Sequence, residues 1–418
     1  MMFRFLHTAD LHIDSPLRSL ALRDADLAER VGSATRTALS RIVDACLEHE
    51  VHALLIAGDL FDGDIHSMKT AAFVIAQFER LDAAGIPVFL IRGNHDAESQ
   101  LTREIDLPPN VTLFTGHGGV EELPDHGVAI HGISFARPSA PESLLPKLRP
   151  PVPGRFNIGL LHTSLAGAPG HDVYAPCSIA DLTGHGFDYW ALGHVHGRRI
   201  HAEAPLIVMP GMPQGRDIGE AGPKSATLVT VTEGRAELRE VPTSAVVFER
   251  VTCDLGDIDD WRDARAAVMG ALRAATPADE GWLVARVELR GQGDLAWRIR
   301  RDLDLFSAQM AEDAQAEGRM AIEKIEITLQ DRAEAAAHGG ARADLVSLLH
   351  EVCETPAFRD RAIDMVRALS EDLPPEIRGD FGRTEEDLAA VAIRILDEGA
   401  EEVAARLSAG AAAQGEEG

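Results

Sequence analysis

Over the first 243 residues, short apolar runs alternate with longer stretches whose apolar positions recur every three or four residues. Ala53, Leu54, Leu55, Ile56 and Ala57 form one such run, residues 87–91 a second and residues 158–161 a third. Runs of this length without a polar break predict central strands covered on both faces. Leu39, Ile42, Val43, Cys46 and Leu47 mark a helical stripe before the first run. Ala71, Val74, Ile75, Phe78 and Leu81 mark another between the first two, ended by Gly85 and Pro87. Strand and helix in alternation predict a layered α/β domain over residues 1–243. The proline-rich stretch 138–153 is expected as a surface loop.

From about residue 246 the pattern changes. Leu283, Ala285, Val287 and Leu289 alternate with Val284, Arg286, Glu288 and Arg290, and Ile325, Ile327 and Leu329 repeat the alternation. With helical stretches before and between, residues 246–332 predict a small α+β unit. A Gly/Ala-rich joint, 333–341, leads to a helical segment over 338–408. Its stripes are Leu345, Leu348, Leu349 and Val352, then Leu388, Val391, Ala392 and Leu396. The small, polar tail 409–418 is expected to be disordered.

Composition narrows the class. A hydrophobic fraction of 45% is that of an ordinary globular chain. No run approaches the length of a membrane span, and the apolar start is too short for a signal peptide. Cys46, Cys177, Cys253 and Cys353 form no C-x-x-C pair, which predicts a reduced, cytoplasmic protein with no membrane association. The net charge of −27 opposes unaided binding to a polyanion. Residues 331–418 add to it, with nine arginines, no lysine and twenty acids.

Polar chemistry falls at the ends of the predicted strands. The five sites are Asp10-Leu11-His12, Gly58-Asp59-Leu60-Phe61-Asp62, Gly93-Asn94-His95-Asp96, Leu161-His162-Thr163 and Gly193-His194-Val195-His196. In layered α/β folds the carboxyl edge of the strands is where ligands bind. So many imidazoles and carboxylates beside a core would be costly unless cations neutralised the acids and occupied the imidazole lone pairs. Nitrogen and oxygen donors without thiolate point to Mn²⁺, Fe²⁺ or Zn²⁺ in a catalytic site, not to structural zinc. A central acid such as Asp59 can bridge two ions and so support hydrolysis of a phosphate ester.

In order and spacing these five elements resemble the calcineurin-like metallophosphoesterase superfamily. The narrower resemblance is to SbcD/YhaO-type DNA-repair nucleases. It rests on residues 7–17, on Gly58 to Asp62, on residues 188–196 and on residues 210–216. The resemblance implies a four-layer sandwich of two mixed sheets flanked by helices, followed by a capping domain and a helical C-terminal segment that either docks an ATPase or packs on its own chain. It implies two divalent metal ions, with Mn²⁺ expected. One would be held by Asp10, His12 and His196, the other by Asn94, His162 and His194, with Asp59 bridging. His95, oriented by Asp96, would protonate the leaving oxygen. It also implies a DNA substrate, a coiled-coil SMC-like ATPase partner and a nuclease compatible with a homodimer. Some relatives place a catalytic histidine three residues after the bridging acid, where this chain has Asp62.

Other readings stand beside these. Protein phosphatases of the superfamily carry Asp-Arg-Gly after the second motif, whereas here Asp62-Gly63-Asp64 follows. A small-molecule or cyclic-nucleotide phosphodiesterase remains the alternative function, and complete ligands argue against an inactive scaffold. Asp14 and Asp62 are read as supporting residues, and His7, His52 and His131 as surface or core residues, with His7, beside the site, the first exception to expect. Arg298, Arg300 and Arg301 are read as a solvated helix face in preference to phosphate contacts from the capping domain, and Gly211, Gly215 and Gly219 as turn glycines.

Overall fold

The computed structural model describes residues 2–15, 25–62, 67–98, 105–165, 174–256, 258–278, 281–292 and 295–330. Beyond these it describes 348–349, 351–372, 384–396, 399–400 and 403. The joint at 333–341 and the tail at 409–418 lie outside the described residues. Two compact units divide the chain: residues 1–250, 275–285 and 319–323 form one, and 251–274, 286–318 and 324 onward the other.

The first unit holds two six-stranded mixed sheets. Its early strands are β1 (Met2–Thr8), β2 (Ala53–Ala57), β3 (Val88–Ile91) and β4 (Val111–Leu113). They are parallel neighbours in that order, and β11 (Ser225–Thr232) and β12 (Arg235–Pro242) extend the sheet antiparallel beyond β1. The second sheet uses β5 (Gly119–Leu123), β6 (Val128–Gly132), β7 (Phe156–His162), β8 (Tyr189–Gly193), β9 (Arg199–Glu203) and β10 (Leu206–Met209). Its order is β5-β6-β7-β8-β10-β9, parallel through β6, β7, β8 and β10, with antiparallel edges.

Side chains along a strand alternate between faces, so each run feeds two cores. Leu55 and Phe89 join Phe3, Phe5, Ile158, Leu160 and Tyr189 between the sheets. Leu54, Ile56 and Leu90 turn the other way, onto helices α1 (Ala25–Glu48) and α2 (Met68–Ala83), through Leu39, Ile42, Val43, Val74 and Phe78. These helices carry the two predicted stripes. The outer face of the second sheet is covered more thinly. Trp190, Leu192, Ile207 and Met209 meet α4 (Ile179–Gly184) and the leucines Leu144, Leu145 and Leu148. The proline-rich stretch is therefore not only a surface loop: its apolar side chains fill a layer that helices fill on the other side.

A third sheet orders β13 (Val246–Asp254), β14 (Trp282–Gln292) and β15 (Met320–Gln330). In the second unit α5 (Trp261–Ala275) and α7 (Leu303–Glu317) are joined by Arg265 on Asp313 and Arg273 on Glu317. Arg298, on α6 (Ala296–Arg301), lies over the Trp261 ring at 5.1 Å, and Arg301 pairs with Asp302 at 2.6 Å. Toward the C-terminus, α8 (Pro356–Asp372) falls within the segment expected to be helical but between its two stripes, and its Phe358, Met365 and Leu369 are exposed. Among the described residues no helix is long and apolar enough to cross a membrane.

Candidate metal centre

The parallel strands deliver the five polar motifs to one edge of the first unit. Asp10 and His12 follow β1, Asp59 follows β2, and Asn94 and His95 open α3 (Asn94–Glu98) after β3. His162 ends β7, and His194 and His196 follow β8. Among the described residues three groups have their candidate ligand atoms within 4.8 Å of one another: Asp10, His12 and His196; Asp59, His162 and His194; and, beside the first and sharing His12, a group of His12, Asp62 and His95. Asn94 adjoins the second, its Oδ1 lying 3.1 Å from His162 Nε2.

The backbone is bent to achieve this. Asp10, His12, Asp59 and His194 have φ of 54°, 43°, 53° and 102°. Left-handed conformations cost non-glycine residues of order 1–3 kcal/mol each and persist only where the surroundings enforce them. Here the loops after β1 and β2 enforce them mutually: the N–H groups of Asp10, His12 and Ile13 donate to the carbonyls of Gly58, Asp59 and Leu60 at 3.0, 3.1 and 3.1 Å. Both Asp10 carboxylate oxygens accept from His194 N–H, at 3.0 and 3.1 Å. Gly93 and Gly193 are required by close approach, since a Cβ at either would overlap the Asp59 carboxylate or the Ala57 carbonyl.

The ring nitrogens show what the centre is built for. His162 Nδ1 lies 2.9 Å from the Ala57 carbonyl, where it can only donate, and Nε2 lies 3.3 Å from Asp59 Oδ2. A ring with oxygen acceptors on both sides needs a cation at Nε2, a proton or a metal. Burial opposes that charge, yet Asp59 outweighs it and pushes His162 up to about 9. His12 Nδ1 donates to Asp62 Oδ1 at 2.6 Å, which leaves Nε2 buried without a hydrogen-bond partner, 3.9 Å from the same Asp59 oxygen. His196 Nδ1 donates to Glu220 Oε1 at 2.8 Å. In all three rings Nδ1 is tied to an acceptor and Nε2 is kept as the ligand atom, the arrangement of metal-bound histidine. Burial would raise Asp59, but His162, then His12 and His95, hold it below the usual carboxylate range. Imidazole nitrogens and carboxylates without thiolate fit divalent cations.

One expected role is moved. Asp96 does not orient His95: its carboxylate accepts the N–H groups of Leu60, Phe61 and Gly93 at 3.2, 3.0 and 3.1 Å and so ties the β2 loop to the β3 loop. His95 instead places Nδ1 3.2 Å from Asp62 Oδ1. Asp62 thus braces both His12 and His95. Burial would raise it, but the hydrogen bond from His12 holds it anionic, below the usual range. Asp14 is structural, gripped by Arg36 Nε at 2.7 Å and by Thr70. His7 is a core residue between Tyr189 Oη and the Leu192 carbonyl, at 3.0 and 3.1 Å, and His131 lies 3.0 Å from Asn157 Oδ1.

Sequence reasoning missed Glu220 and gave Arg216 no role. Both sit beyond β10, Glu220 on the short 3-10 turn Ile218–Glu220, where no apolar run announces them. The available signal was an acid four residues after an arginine in a glycine-rich loop.

Comparison with known proteins agrees with this geometry. Residues 3–198 match the calcineurin-like phosphoesterase family, and residues 248–330 match the middle domain of metallophosphoesterase YhaO. The chain is 36% identical over 256 residues to an uncharacterized metallophosphoesterase YhaO from Bacillus subtilis, covering 60% of this chain and 63% of that protein. It is 28% identical over 208 residues to the DNA double-strand break repair protein Mre11 of Sulfurisphaera tokodaii, covering 47% and 50%. The Haloferax volcanii protein of the same name is 25% identical over 329 residues, covering 71% and 70%. The matched stretch therefore spans less than two thirds of the first two relatives.

Proposed function

We propose that this chain, which carries a calcineurin-like metallophosphoesterase domain and a YhaO-type middle domain and is homologous to YhaO and Mre11, is a two-metal nuclease that cuts DNA phosphodiesters. One observation carries the two-metal part. A single oxygen, Asp59 Oδ2, faces His12 Nε2 of one cluster at 3.9 Å and His162 Nε2 of the other at 3.3 Å, the place of a bridging ligand. Asp10, His12 and His196 would hold one cation, and Asn94, His162 and His194 the other. Divalent cations there, Mn²⁺ in this reading, would supply a hydroxide at neutral pH and offset charge on the phosphate oxygens.

The chain's own groups supply the rest. Asp59 is fixed by the His95 N–H, which donates to Oδ1 at 3.1 Å. The His95 side chain is 43% exposed, so its Nε2 can reach a substrate while Nδ1 rests on Asp62. In this reading His95 would act as the proton donor to the leaving oxygen, the role general-acid catalysis requires. DNA is favoured as substrate by the Mre11 homology. The net charge of −27 favours a partner that grips the DNA, which we assign to a coiled-coil SMC-like ATPase acting in the cytoplasm. The same charge is the observation that favours the second reading, a small-molecule or cyclic-nucleotide phosphodiesterase.

The discriminating assay uses purified protein with Mn²⁺ on end-labelled single- and double-stranded DNA, beside bis- and mono-p-nitrophenyl phosphate. Shortened DNA that EDTA abolishes is expected. Diester or monoester cleavage without DNA degradation, with or without the ATPase, would contradict the nuclease assignment.

A further inference from the structure

The backing of His12, His162 and His196 differs. In the second cluster His162 leans on a neutral group, the Ala57 carbonyl. In the first stand two carboxylates, Asp62 on His12 at 2.6 Å and Glu220 on His196 at 2.8 Å. Glu220 is itself locked. Arg216 donates through Nε to Oε2 at 3.2 Å and through Nη2 to Oε1 at 2.7 Å, and Glu220 Oε2 also accepts the Arg216 N–H at 2.8 Å. The remaining Nη1 reaches Ser15 Oγ at 3.3 Å and approaches Asp62 Oδ2 at 3.8 Å. The Nε and Nη2 edge of the guanidinium is committed to Glu220, so Arg216 serves as a brace for that carboxylate.

We infer that Glu220, held by Arg216, is a positioning residue that sets the affinity of the Asp10–His12–His196 cluster for its cation and leaves the Asp59–His162–His194 cluster largely unaffected. The inference rests on the two-metal reading. A carboxylate behind a ligand histidine fixes the ring and raises its basicity, and losing such a partner costs about 10–100-fold in metal affinity. Orientation and charge act in the same direction for Glu220. For Arg216 they oppose, because its positive charge also repels the cation, so the test falls on Glu220.

The full-length protein is titrated with Mn²⁺ by calorimetry and electron paramagnetic resonance, comparing wild type, Glu220→Gln and Glu220→Ala, with thermal melting as the folding control. The wild type should bind two ions and show a spin-coupled pair at saturation. Glu220→Ala should weaken one ion by about 10–100-fold and the other by less than about twofold, with the six-line spectrum of an isolated ion at one equivalent. Glu220→Gln, nearly the same shape, should give a smaller loss at the same ion and carries the test if the alanine variant does not fold. Unchanged binding of both ions, or equal weakening of both, would overturn the inference. A wild type that binds fewer than two ions would instead overturn the two-metal reading beneath it.

Discussion

His7 and His162 are both wholly buried in the first unit, yet their surroundings drive them in opposite directions. His7, between the sheets, meets a tyrosine hydroxyl and a backbone carbonyl, and burial pushes it down to about 3. His162, at the strand ends, meets Asp59, and the anion carries it up to about 9 against the same burial. The core region thus spends histidine as a neutral hydrogen-bonding link from β1 to β8. The edge region keeps imidazoles where a positive charge is wanted. Burial alone says nothing about function; the charge of the partner decides.

The contrast can be broken at the edge first. His95→Ala should lower kcat by about 10²–10⁴-fold while two Mn²⁺ remain bound, since His95 lies in neither of the proposed ligand sets. Loss of metal in that variant would move His95 among the ligands. Asp96→Ala should act differently, because it leaves the N–H groups of Leu60, Phe61 and Gly93 without their acceptor. A loss of about 3 kcal/mol or more in urea denaturation is expected, at about 1–3 kcal/mol for each orphaned donor. A stable Asp96→Ala with a shifted pH–rate profile would restore its orienting role.

Two pH experiments sharpen the contrast further. His162 must give up its proton to take a metal, so below about pH 9 the apparent Mn²⁺ affinity should fall as pH falls, by about tenfold per unit for one displaced proton. Proton release measured in two buffers of different ionisation enthalpy checks this; no release at pH 7.5 would contradict it. His7 bears on stability instead. Its folded value of about 3 lies below the 6.5 of the unfolded chain, so its contribution is fully present above pH 6.5 and is lost as pH falls toward 3. Wild type should lose about 1.4 kcal/mol per pH unit in that window through this group, and His7→Gln should lose that much less. Parallel pH curves for the two proteins would refute the assignment.

Much of this was legible before the fold was seen. Each ligand motif ends an apolar strand, and parallel strands must deliver their carboxyl ends to one edge, so Asp10, Asp59, Asn94, His162 and His194 could be grouped from the chain alone. Glu220 could not. It belongs to a loop, and its meaning lies in a contact with His196, 24 residues away, that no periodicity encodes. The exchange of Asp96 for Asp62 has a similar origin. Both acids neighbour His95 in sequence or motif, and only the turn of α3 decides which faces the ring. Leu144, Leu145 and Leu148 were hidden by the prolines around them, although their burial closes the second sheet. Helix α8 lies in the segment expected to be helical, but no stripe marked it: Val366 is buried while Phe358, Met365 and Leu369 are exposed.

The two-metal centre depends on Asp59 serving both clusters. The most direct test counts Mn²⁺ bound per chain, at a fixed free concentration, in wild type and Asp59→Asn. Two ions in the wild type, with both weakened and DNA cleavage at background in Asp59→Asn, are predicted. A wild type with one ion, or an Asp59→Asn protein that keeps one ion at unchanged affinity, would contradict a shared carboxylate.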